Sequence, residues 1–318
     1  MPDYMIQGLV PAVVTPFSDK GDIMFDAFDE IIQWHLSWGA TGFLVAGDNG
    51  EQWALNEDEL GQVAAAAMKA TKGQVPIFVG CGAVTMAETV RRARAVAEGG
   101  ATGVAVTQPF VVMNATEAEL VARFEAVAKA VELPIMLFNT IQRSGFTVTH
   151  DVLESLLDVS PIVAIKQSNP NLAFVTESLR RFRDRLAIFV GNGTNMLAGR
   201  MLGSAGYIST GPDLLGEDIQ RILNVETLSI PERLDLQHRV HKIFNVMLAN
   251  VPGIQSGMPG PATDPAPYKA ALNMLGLPAG VPRDPVQPAS KEVEDRVRGV
   301  LDELGIIERE TARRQAAQ

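Results

Sequence analysis

The sequence predicts an α/β fold, a (β/α)8 TIM barrel with a helical appendage at its carboxyl-terminal end. Three observations lead to this prediction. Eight short apolar runs alternate with longer amphipathic runs at a spacing of about 30 residues, which is usual for such a barrel. The alternation stops after about Pro231. No Gly-x-Gly-x-x-Gly follows the first apolar run, which disfavours the competing prediction, an open doubly wound sheet that binds a nucleotide.

The strand candidates are short apolar runs, rich in β-branched residues and bounded by glycine, proline or polar residues. This continuous apolar pattern is typical of strands that are buried on both faces. The candidates span residues 9–14, 42–46, 76–79, 104–107, 135–138, 162–166, 187–190 and 206–209.

The helix candidates lie between these strands and carry apolar residues at helical spacing. Thr85 and Thr116 stand at N-cap positions, with Glu88 and Glu119 three residues later as capping-box partners. Gly203 stands where a helix would end. The candidates span residues 25–38, 57–70, 86–98, 117–131, 150–157, 173–182 and 195–202.

The carboxyl-terminal part is predicted to be helical and to lack strands. Helices are expected over residues 234–251, 268–275 and 291–304, with a Gly- and Pro-rich loop over 252–267 and a polar tail, frayed or helical, over 308–318. Three short helices make a poor core by themselves. We therefore predict a barrel over residues 1–230 and a helical segment over 231–318 that packs on it.

Composition narrows the classes of function. The 318 residues are 47% hydrophobic and 20% charged, enough for a large core, with a formal net charge of −10. An acidic chain is a poor partner for nucleic acid or an anionic membrane, and no apolar run reaches transmembrane length. The single cysteine, Cys81, excludes an internal disulfide, and no secretory signal is seen. These features predict a cytoplasmic protein that binds neither nucleic acid nor membrane.

Lys166 is the residue that points most directly to chemistry. It ends the apolar run 162–166 and is followed by polar residues, which places a lysine at the carboxyl end of a buried strand. Burial disfavours the ammonium ion and leaves some neutral amine near neutral pH, and a neutral amine attacks carbonyl carbon to form a Schiff base. A lone lysine after a strand is more often a solvated charge. The residues at the other strand ends must therefore show whether Lys166 is a catalytic amine or a solvated charge.

Active sites of such barrels lie at the carboxyl ends of the strands. Polar residues and glycines follow most of the predicted strands, and Arg143 is the second cation there beside Lys166. The runs at the strand ends are Thr15-Pro16-Phe17, Gly47-Asp48-Asn49-Gly50-Glu51, Gln108-Pro109-Phe110, Asn139-Thr140 with Gln142-Arg143-Ser144-Gly145, Lys166, Gly191-Asn192-Gly193 and Ser209-Thr210.

The order and spacing of these runs resemble the dihydrodipicolinate synthase and N-acetylneuraminate lyase family of class I aldolase-type barrels. The resemblance extends from about Gly8 to about Gly305. It rests on Thr15-Pro16-Phe17 with Gly21, Gly47-x-x-Gly50-Glu51, Asn139 with Arg143-x-Gly145, Ile165-Lys166, Gly191, Gly206-x-Ile208-Ser209, Tyr268-Lys269-Ala270-Ala271, Gly276-Leu277 and Arg283-x-Pro285.

The resemblance implies a lyase in which Lys166 condenses with the ketone of a 2-oxo acid such as pyruvate. It implies Lys166 and Asn139 as catalytic residues, no metal or organic cofactor, and a homotetramer. None of the four histidines stands at metal-ligand spacing from a cysteine or an acidic residue. The predicted substrate-binding residues are Asp48, Asn49, Gly50, Arg143, Gly191, Asn192 and Ile208.

Three positions depart from the pattern of that family. Phe138 stands where the family has a tyrosine whose phenol relays protons, and Val111 stands where a second tyrosine is usual. Neither side chain can carry a proton. Asp48 replaces a hydroxyl residue, and its charge would repel a substrate carboxylate if it pointed inward. Without these two phenols, water, Asn139, Glu51 or a substrate group would have to move the proton.

The leading prediction is a lyase that acts on a 2-oxo acid, by aldol cleavage or condensation or by dehydration of a deoxy sugar acid. Phe138 slightly favours a dehydratase or a hydratase-aldolase over dihydrodipicolinate synthesis. The alternative is a family member that has lost catalysis and serves as a ligand-binding or assembly protein, against which the presence of Lys166 argues. Arg143 is expected either to hold a distal carboxylate or to form a structural ion pair. Glu51 is expected to be buried and structural, and Cys81 to be a packing residue.

Overall fold

The computed structural model describes residues 6–111, 115–208, 210–247 and 262–317. Eight parallel strands form one sheet in the order β1-β8-β7-β6-β5-β4-β3-β2, and each lies where the sequence predicts a strand. The strands are β1 (Gly8–Leu9), β2 (Phe43–Val45), β3 (Ile77–Gly80), β4 (Gly103–Thr107), β5 (Ile135–Asn139), β6 (Ile162–Gln167), β7 (Ala187–Val190) and β8 (Gly206–Tyr207). The predicted (β/α)8 barrel is confirmed.

The sheet closes between the segment that follows β1 and the strand β2. The Thr41 N–H donates to the Leu9 carbonyl at 2.8 Å, and Leu44 N–H donates to the Pro11 carbonyl at 2.9 Å. The first strand was predicted over 9–14, but regular pairing stops at Leu9 because Pro11 has no N–H to continue the ladder. Ser209, the predicted end of the eighth strand, lies outside the described residues.

The helices follow the predicted pattern with additions. Thr116 accepts a bond from Glu119 N–H at 3.3 Å and donates its own N–H to the Glu119 carboxylate at 2.7 Å, as the capping box predicts. Thr85 accepts from Glu88 N–H at 3.2 Å. The helices of the barrel are α1 (Phe25–Ser37), α2 (Glu57–Thr71), α3 (Met86–Glu98), α4 (Glu117–Ala130), α5 (Ile141–Ser144), α6 (His150–Val159), α7 (Leu172–Phe182), α8 (Met196–Met201) and α9 (Glu217–Leu223).

The short helices α5 and α9 were not predicted, because so few residues show no clear periodicity. The carboxyl-terminal helices are α10 (Ile230–Met247), α11 (Ala266–Met274), α12 (Lys291–Glu303) and α13 (Ile306–Ala317). The first of these was predicted to begin at 234. It begins earlier because Ser229 donates its N–H to the Glu232 carboxylate at 2.8 Å, as at a helix N-terminus. Residues 248–251 and most of the predicted loop lie outside the described residues.

The carboxyl-terminal helices pack on the barrel. Buried leucines of α10, α11 and α12 belong to the same apolar core as the outward-facing residues of the strands. The polar tail is helical, and its Glu310 accepts a bond from the indole N–H of Trp34 in α1 at 2.8 Å. The predicted helical appendage is therefore confirmed, whereas its division from the barrel at residue 230 stays a prediction. Within the described residues, none of the helices is both long and apolar enough to cross a membrane.

A second, smaller core fills the interior of the barrel. Side chains alternate along a strand, so every second residue faces the axis. Phe138, Ala164 and Ile208 belong to this interior cluster, together with residues of the other strands. Lys166 is two residues beyond Ala164 on β6 and so faces the same way, above the packed interior.

Leu301→Ala tests whether the carboxyl-terminal helices and the barrel unfold together. Leu301 is fully buried in α12, and its truncation is expected to lower the free energy of unfolding by about 2–5 kcal/mol. The three tryptophans, Trp34, Trp38 and Trp53, all lie in the barrel part. Trp34 and Trp38 also contact α13, so tryptophan fluorescence during urea unfolding reports on the barrel and on the packing of this helix, while circular dichroism reports on all helices.

If the two parts form one cooperative unit, both signals shift together to lower urea concentration. Arg298→Ala, at an exposed position of α12, is the control and should change the free energy by less than about 0.5 kcal/mol. Two separate transitions in either signal would show instead that the helical segment unfolds as a separate domain.

Candidate active site

Lys166 lies near the carboxyl end of β6, where the sequence predicts it, and points into the mouth of the barrel. Its side chain is 8% exposed. Nζ lies 5.1 Å from the centroid of the Phe138 ring, which is its neighbour across the β5–β6 pair. No hydrogen bond or ion pair joins Nζ to another residue in the part of the chain that the structure describes. The amine is therefore buried without a counter-ion in direct contact.

Burial lowers the pKa of Lys166 below the ordinary value for lysine. The carboxylates of Asp48 and Asp264 act in the opposite direction and raise this pKa, while the charge of Arg143 lowers it further. Burial is the largest of these effects. More of the amine is consequently neutral near neutral pH than in an exposed lysine, and the neutral form is the nucleophile.

Arg143 bridges two carboxylates beside Lys166. Its Nε lies 3.4 Å from Oδ2 of Asp48, and its Nη2 lies 3.1 Å from Oδ2 of Asp264. Arg143 comes from α5, Asp48 from the loop after β2, and Asp264 from the segment just before α11. Asp48 raises the pKa of Arg143 most, so the guanidinium stays charged. The ion pair expected as one explanation of Arg143 is present, and it also accounts for the acidic residue at position 48.

These charged residues line a cleft of about 200 Å3 at the carboxyl ends of the strands. Lys166 is not part of the lining, but Asp48, Arg143 and Asp264, which act on its pKa, are. The remaining lining residues are Gln52, Trp53, Thr107, Gln108, Phe110, Thr140, Ser144, Thr263 and Val286.

Asn139 orders the loop that carries Arg143. Its Oδ1 accepts bonds from Gln108 Nε2 at 3.0 Å and from Val148 N–H at 2.9 Å, and its Nδ2 donates to the Val148 carbonyl at 2.9 Å. Gln108 also accepts from Thr140 N–H at 3.0 Å. These bonds involve both ends of the amide and fix the position of the Asn139 side chain, and the catalytic role that the family resemblance implied stays a prediction.

Two of the predicted binding residues are glycines at points of close packing. A Cβ at Gly191 would lie 3.1 Å from Cγ of Lys166. A Cβ at Gly50 would lie 2.7 Å from Cα of Ala46. Both distances are shorter than an ordinary carbon–carbon contact, so neither position accepts a side chain without displacement. Gly191 thus keeps the space beside the Lys166 side chain open.

The other three predicted binding residues have structural contacts. Asn49 donates to Thr210 Oγ1 at 2.6 Å, which joins the loops after β2 and β8. Asn192 accepts from Thr194 N–H at 2.9 Å and caps a short 3-10 turn. Ile208 is fully buried in the barrel interior. Their contact with a substrate stays a prediction.

Glu51 is buried and structural, as expected. Its Oε1 lies 2.6 Å from Nζ of Lys269, and its Oε2 accepts the backbone N–H of Arg283 at 2.8 Å. Burial raises the pKa of Glu51, while Lys269 and Arg283 lower it. Cys81 is also fully buried, and burial raises its pKa to about 12, in keeping with a packing residue.

No phenol of the described residues lies beside Lys166. Tyr207 and Tyr268 belong to the outer core, between the sheet and the helices, and Tyr268 donates its hydroxyl to Asp213. Tyr4 lies outside the described residues. Val111 follows Phe110 at the rim of the cleft and is 77% exposed, with a φ of 74°. Among the residues described, no group of three or more His, Cys, Asp or Glu is close enough to hold a metal ion.

Asp264, Lys269 and Gln108 are site residues to which sequence reasoning gave no role. Asp264 stands in a Gly- and Pro-rich stretch after the last strand, where the rule of strand ends does not apply. Lys269 is part of the Tyr268-Lys269-Ala270-Ala271 run on which the resemblance rests, and a lysine within an apolar helix was the signal that could have revealed a buried partner. Gln108 directly follows β4 and was named only among the residues at the strand ends.

Removing the charge of Asp48 and removing the charge of Arg143 are expected to shift the pKa of Lys166 in opposite directions. Asp48→Asn removes a charge that raises the pKa of Lys166, so this pKa should fall further. Arg143→Gln removes a charge that lowers it, so the pKa should rise. The measurement is the pH at which acetylation of Lys166 by acetic anhydride is half-maximal, followed by peptide mass spectrometry.

Exposed Lys72 supplies the reference rate in the same digest. Shifts in the same direction for the two variants would contradict the electrostatic role given to these two side chains.

Comparison with known proteins agrees with this architecture. A model of the dihydrodipicolinate synthetase family matches residues 5–304. A 4-hydroxy-tetrahydrodipicolinate synthase of Sorangium cellulosum is 30% identical and covers 100% of both chains, and one of Oceanobacillus iheyensis is 27% identical over 93% of this chain and 96% of its own. A solved dihydrodipicolinate synthase from Aquifex aeolicus has a TM-score of 0.83 at 27% identity, over 94% of this chain and 98% of that one. The chain therefore belongs to the dihydrodipicolinate synthetase family.

Proposed function

We propose that the protein is a lyase that binds a 2-oxo acid as a Schiff base on Lys166. The observation that carries the proposal is the lysine itself, a buried amine near the carboxyl end of a barrel strand, with no counter-ion in direct contact among the described residues. Burial lowers its pKa, and a neutral amine beside a cleft is the nucleophile that this chemistry needs. The names of the curated relatives, 4-hydroxy-tetrahydrodipicolinate synthases, support an enzyme rather than a lapsed binding protein.

In the proposed reaction, the neutral amine of Lys166 adds to the ketone carbon, one proton is taken up from solvent, and water leaves to give an iminium. The positive nitrogen withdraws electrons from the neighbouring carbon, so that a proton or a carbon group attached there can leave. Gly191 leaves room for this adduct beside the Lys166 side chain. The Phe138 ring, 5.1 Å from Nζ, attracts a cation and so stabilises the iminium.

The charges of the cleft bear on the distal part of the substrate. Arg143 already pairs with Asp48 and Asp264, so a second substrate carboxylate would meet a neutralised guanidinium between two negative charges. Hydroxyl groups donate hydrogen bonds to carboxylates and suit these surroundings. We therefore favour a hydroxylated 2-oxo acid or a deoxy sugar acid, undergoing aldol cleavage, condensation or dehydration, over the synthase reaction for which the relatives are named.

Lys166→Arg is expected to abolish covalent binding of 2-oxo acids. Arginine keeps the positive charge but does not deprotonate, so it cannot attack a ketone. The measurement is the intact mass after borohydride reduction with a panel of 2-oxo acids, and circular dichroism checks that the fold is kept. Lys72→Arg, at an exposed position, is the matched control and should form as much adduct as the parent protein.

An adduct of equal yield in Lys166→Arg would remove this lysine from the mechanism. A parent protein that forms no adduct with any member of the panel would instead favour the alternative, a family member that has lost catalysis.

Phe138→Tyr is expected to destabilise the protein without creating dihydrodipicolinate synthesis. Phe138 is fully enclosed, and a buried hydroxyl without a partner costs about 1–3 kcal/mol. Asp48 and Val111 would still differ from the family pattern. Urea unfolding gives the free energy, with Phe25→Tyr at a partly exposed position as control, and a synthase assay gives the activity.

The triple variant Phe138→Tyr, Asp48→Thr and Val111→Tyr separates adaptation from decay. Strong aldolase turnover in the triple variant, with none in the parent protein for any 2-oxo acid, would show that the chain is a decayed aldolase and not one adapted to another substrate.

A further inference from the structure

Chemistry at a Schiff base requires a group that accepts and returns a proton, and no phenol of the described residues lies beside Lys166. We infer that the carboxylate of Asp264, supplied by the carboxyl-terminal segment, carries this proton to and from the carbon next to the iminium. This inference rests on the proposed function and names a residue for its central step.

Three other side chains that could take part in proton transfer are engaged elsewhere or lie on the other face of the sheet. The Asn139 amide makes three hydrogen bonds that hold its own loop. Glu51 is enclosed between Lys269 and the Arg283 backbone, and Lys269 donates to the Val281 carbonyl as well. Tyr207 belongs to the outer core, on the other face of the sheet from Lys166.

Two carboxylates remain among the described groups whose charge acts on Lys166, namely Asp48 and Asp264, with Arg143 as the third charged group. Arginine does not release its proton near neutral pH. Both carboxylates line the cleft, and both contact Arg143 through Oδ2. The two contacts with Arg143 involve Oδ2 of each carboxylate, so Oδ1 takes no part in them.

Asp264 is the better suited of the two carboxylates. Its side chain is 14% exposed, against 20% for Asp48. Burial raises the pKa of Asp264, and the charge of Asp48 adds to this rise, while Arg143 lowers the pKa. A carboxylate whose pKa moves toward neutral pH holds a proton more readily between its removal and its return. Arg143 would keep the carboxylate oriented throughout.

The step balances without a further reactant. The C–H bond next to the iminium breaks, its proton passes to Asp264, and its electron pair forms the carbon–carbon double bond of an enamine. The π electrons of the iminium move to nitrogen and cancel its charge. Asp264 becomes a neutral carboxylic acid and returns the proton when the enamine is protonated.

The test measures adduct formation and proton exchange separately on the full-length protein. Pyruvate in D2O is the probe. Borohydride trapping with intact mass gives the adduct, and the loss of the methyl proton signal in NMR gives the exchange rate per adduct. We expect Asp264→Asn to keep adduct formation within about threefold of the parent protein and to lower the exchange rate per adduct by about 100-fold or more.

Further readouts separate chemistry from a structural role. Formate added to Asp264→Ala should restore exchange by about tenfold or more, because a free carboxylate can replace the missing base. In the parent protein, exchange per adduct should rise with pH as Asp264 ionises, with a midpoint above the usual range for aspartate, and this does not depend on how any variant folds. Asp302→Asn, at an exposed position of α12, is the matched control and should behave as the parent protein.

Each contrary outcome has a distinct meaning. Exchange per adduct that is unchanged in Asp264→Asn overturns the inference and leaves the proposed function intact. A large loss confined to Asp48→Asn also overturns it, in favour of the other carboxylate. Adduct formation without exchange in the parent protein excludes a proton carrier at this site. No adduct in any of these proteins overturns the proposed function and the inference together.

Discussion

A buried ion pair between Glu51 and Lys269 is the interaction on which the arrangement of the site depends. The two side chains are 0% and 1% exposed, and their charged atoms lie 2.6 Å apart. Removing two charges from water costs several kcal/mol for each ion, which is offset only where further bonds complete the pair. Here Arg283 N–H donates to Glu51 at 2.8 Å, Lys269 donates to the Val281 carbonyl at 2.8 Å, and the Phe17 ring lies 4.6 Å from Nζ. The pair ties the loop after β2 to the helix α11.

This constraint determines where the acidic residues of the cleft lie. Glu51 has a φ of 55°, a conformation that costs roughly 1–2 kcal/mol for a residue other than glycine and is held by its buried partners. The loop that ends in Glu51 carries Asp48, while the segment before α11 carries Asp264. With both segments anchored by the same ion pair, the two carboxylates meet Arg143 at Nε and Nη2. The carboxyl-terminal helices are thus part of the site as well as part of the core.

The mixed charges explain how Lys166 is kept buried and reactive at once. Without nearby charges, the ammonium form of Lys166 would only be destabilised by burial. A carboxylate in direct contact would instead hold the proton on the amine. Asp48 and Asp264 act on Lys166 while bound to Arg143, whose charge opposes theirs. The attraction of the carboxylates is thereby reduced, and burial dominates the pKa. Phe138 adds an aromatic face that favours a cation without donating or accepting a proton.

The sequence by itself determined the strands, most helices, the capping residues and the place of Lys166 on β6, because these depend on residues close together in the chain. The order of short runs along the chain also sufficed to indicate the family. Only the tertiary structure decided that Asp48 pairs with Arg143, that Arg143 meets Asp264 from 121 residues away, and that Asn139 is engaged by its own loop. Local periodicity does not predict such contacts, because burial and the distances between remote segments are fixed only when the chain has packed.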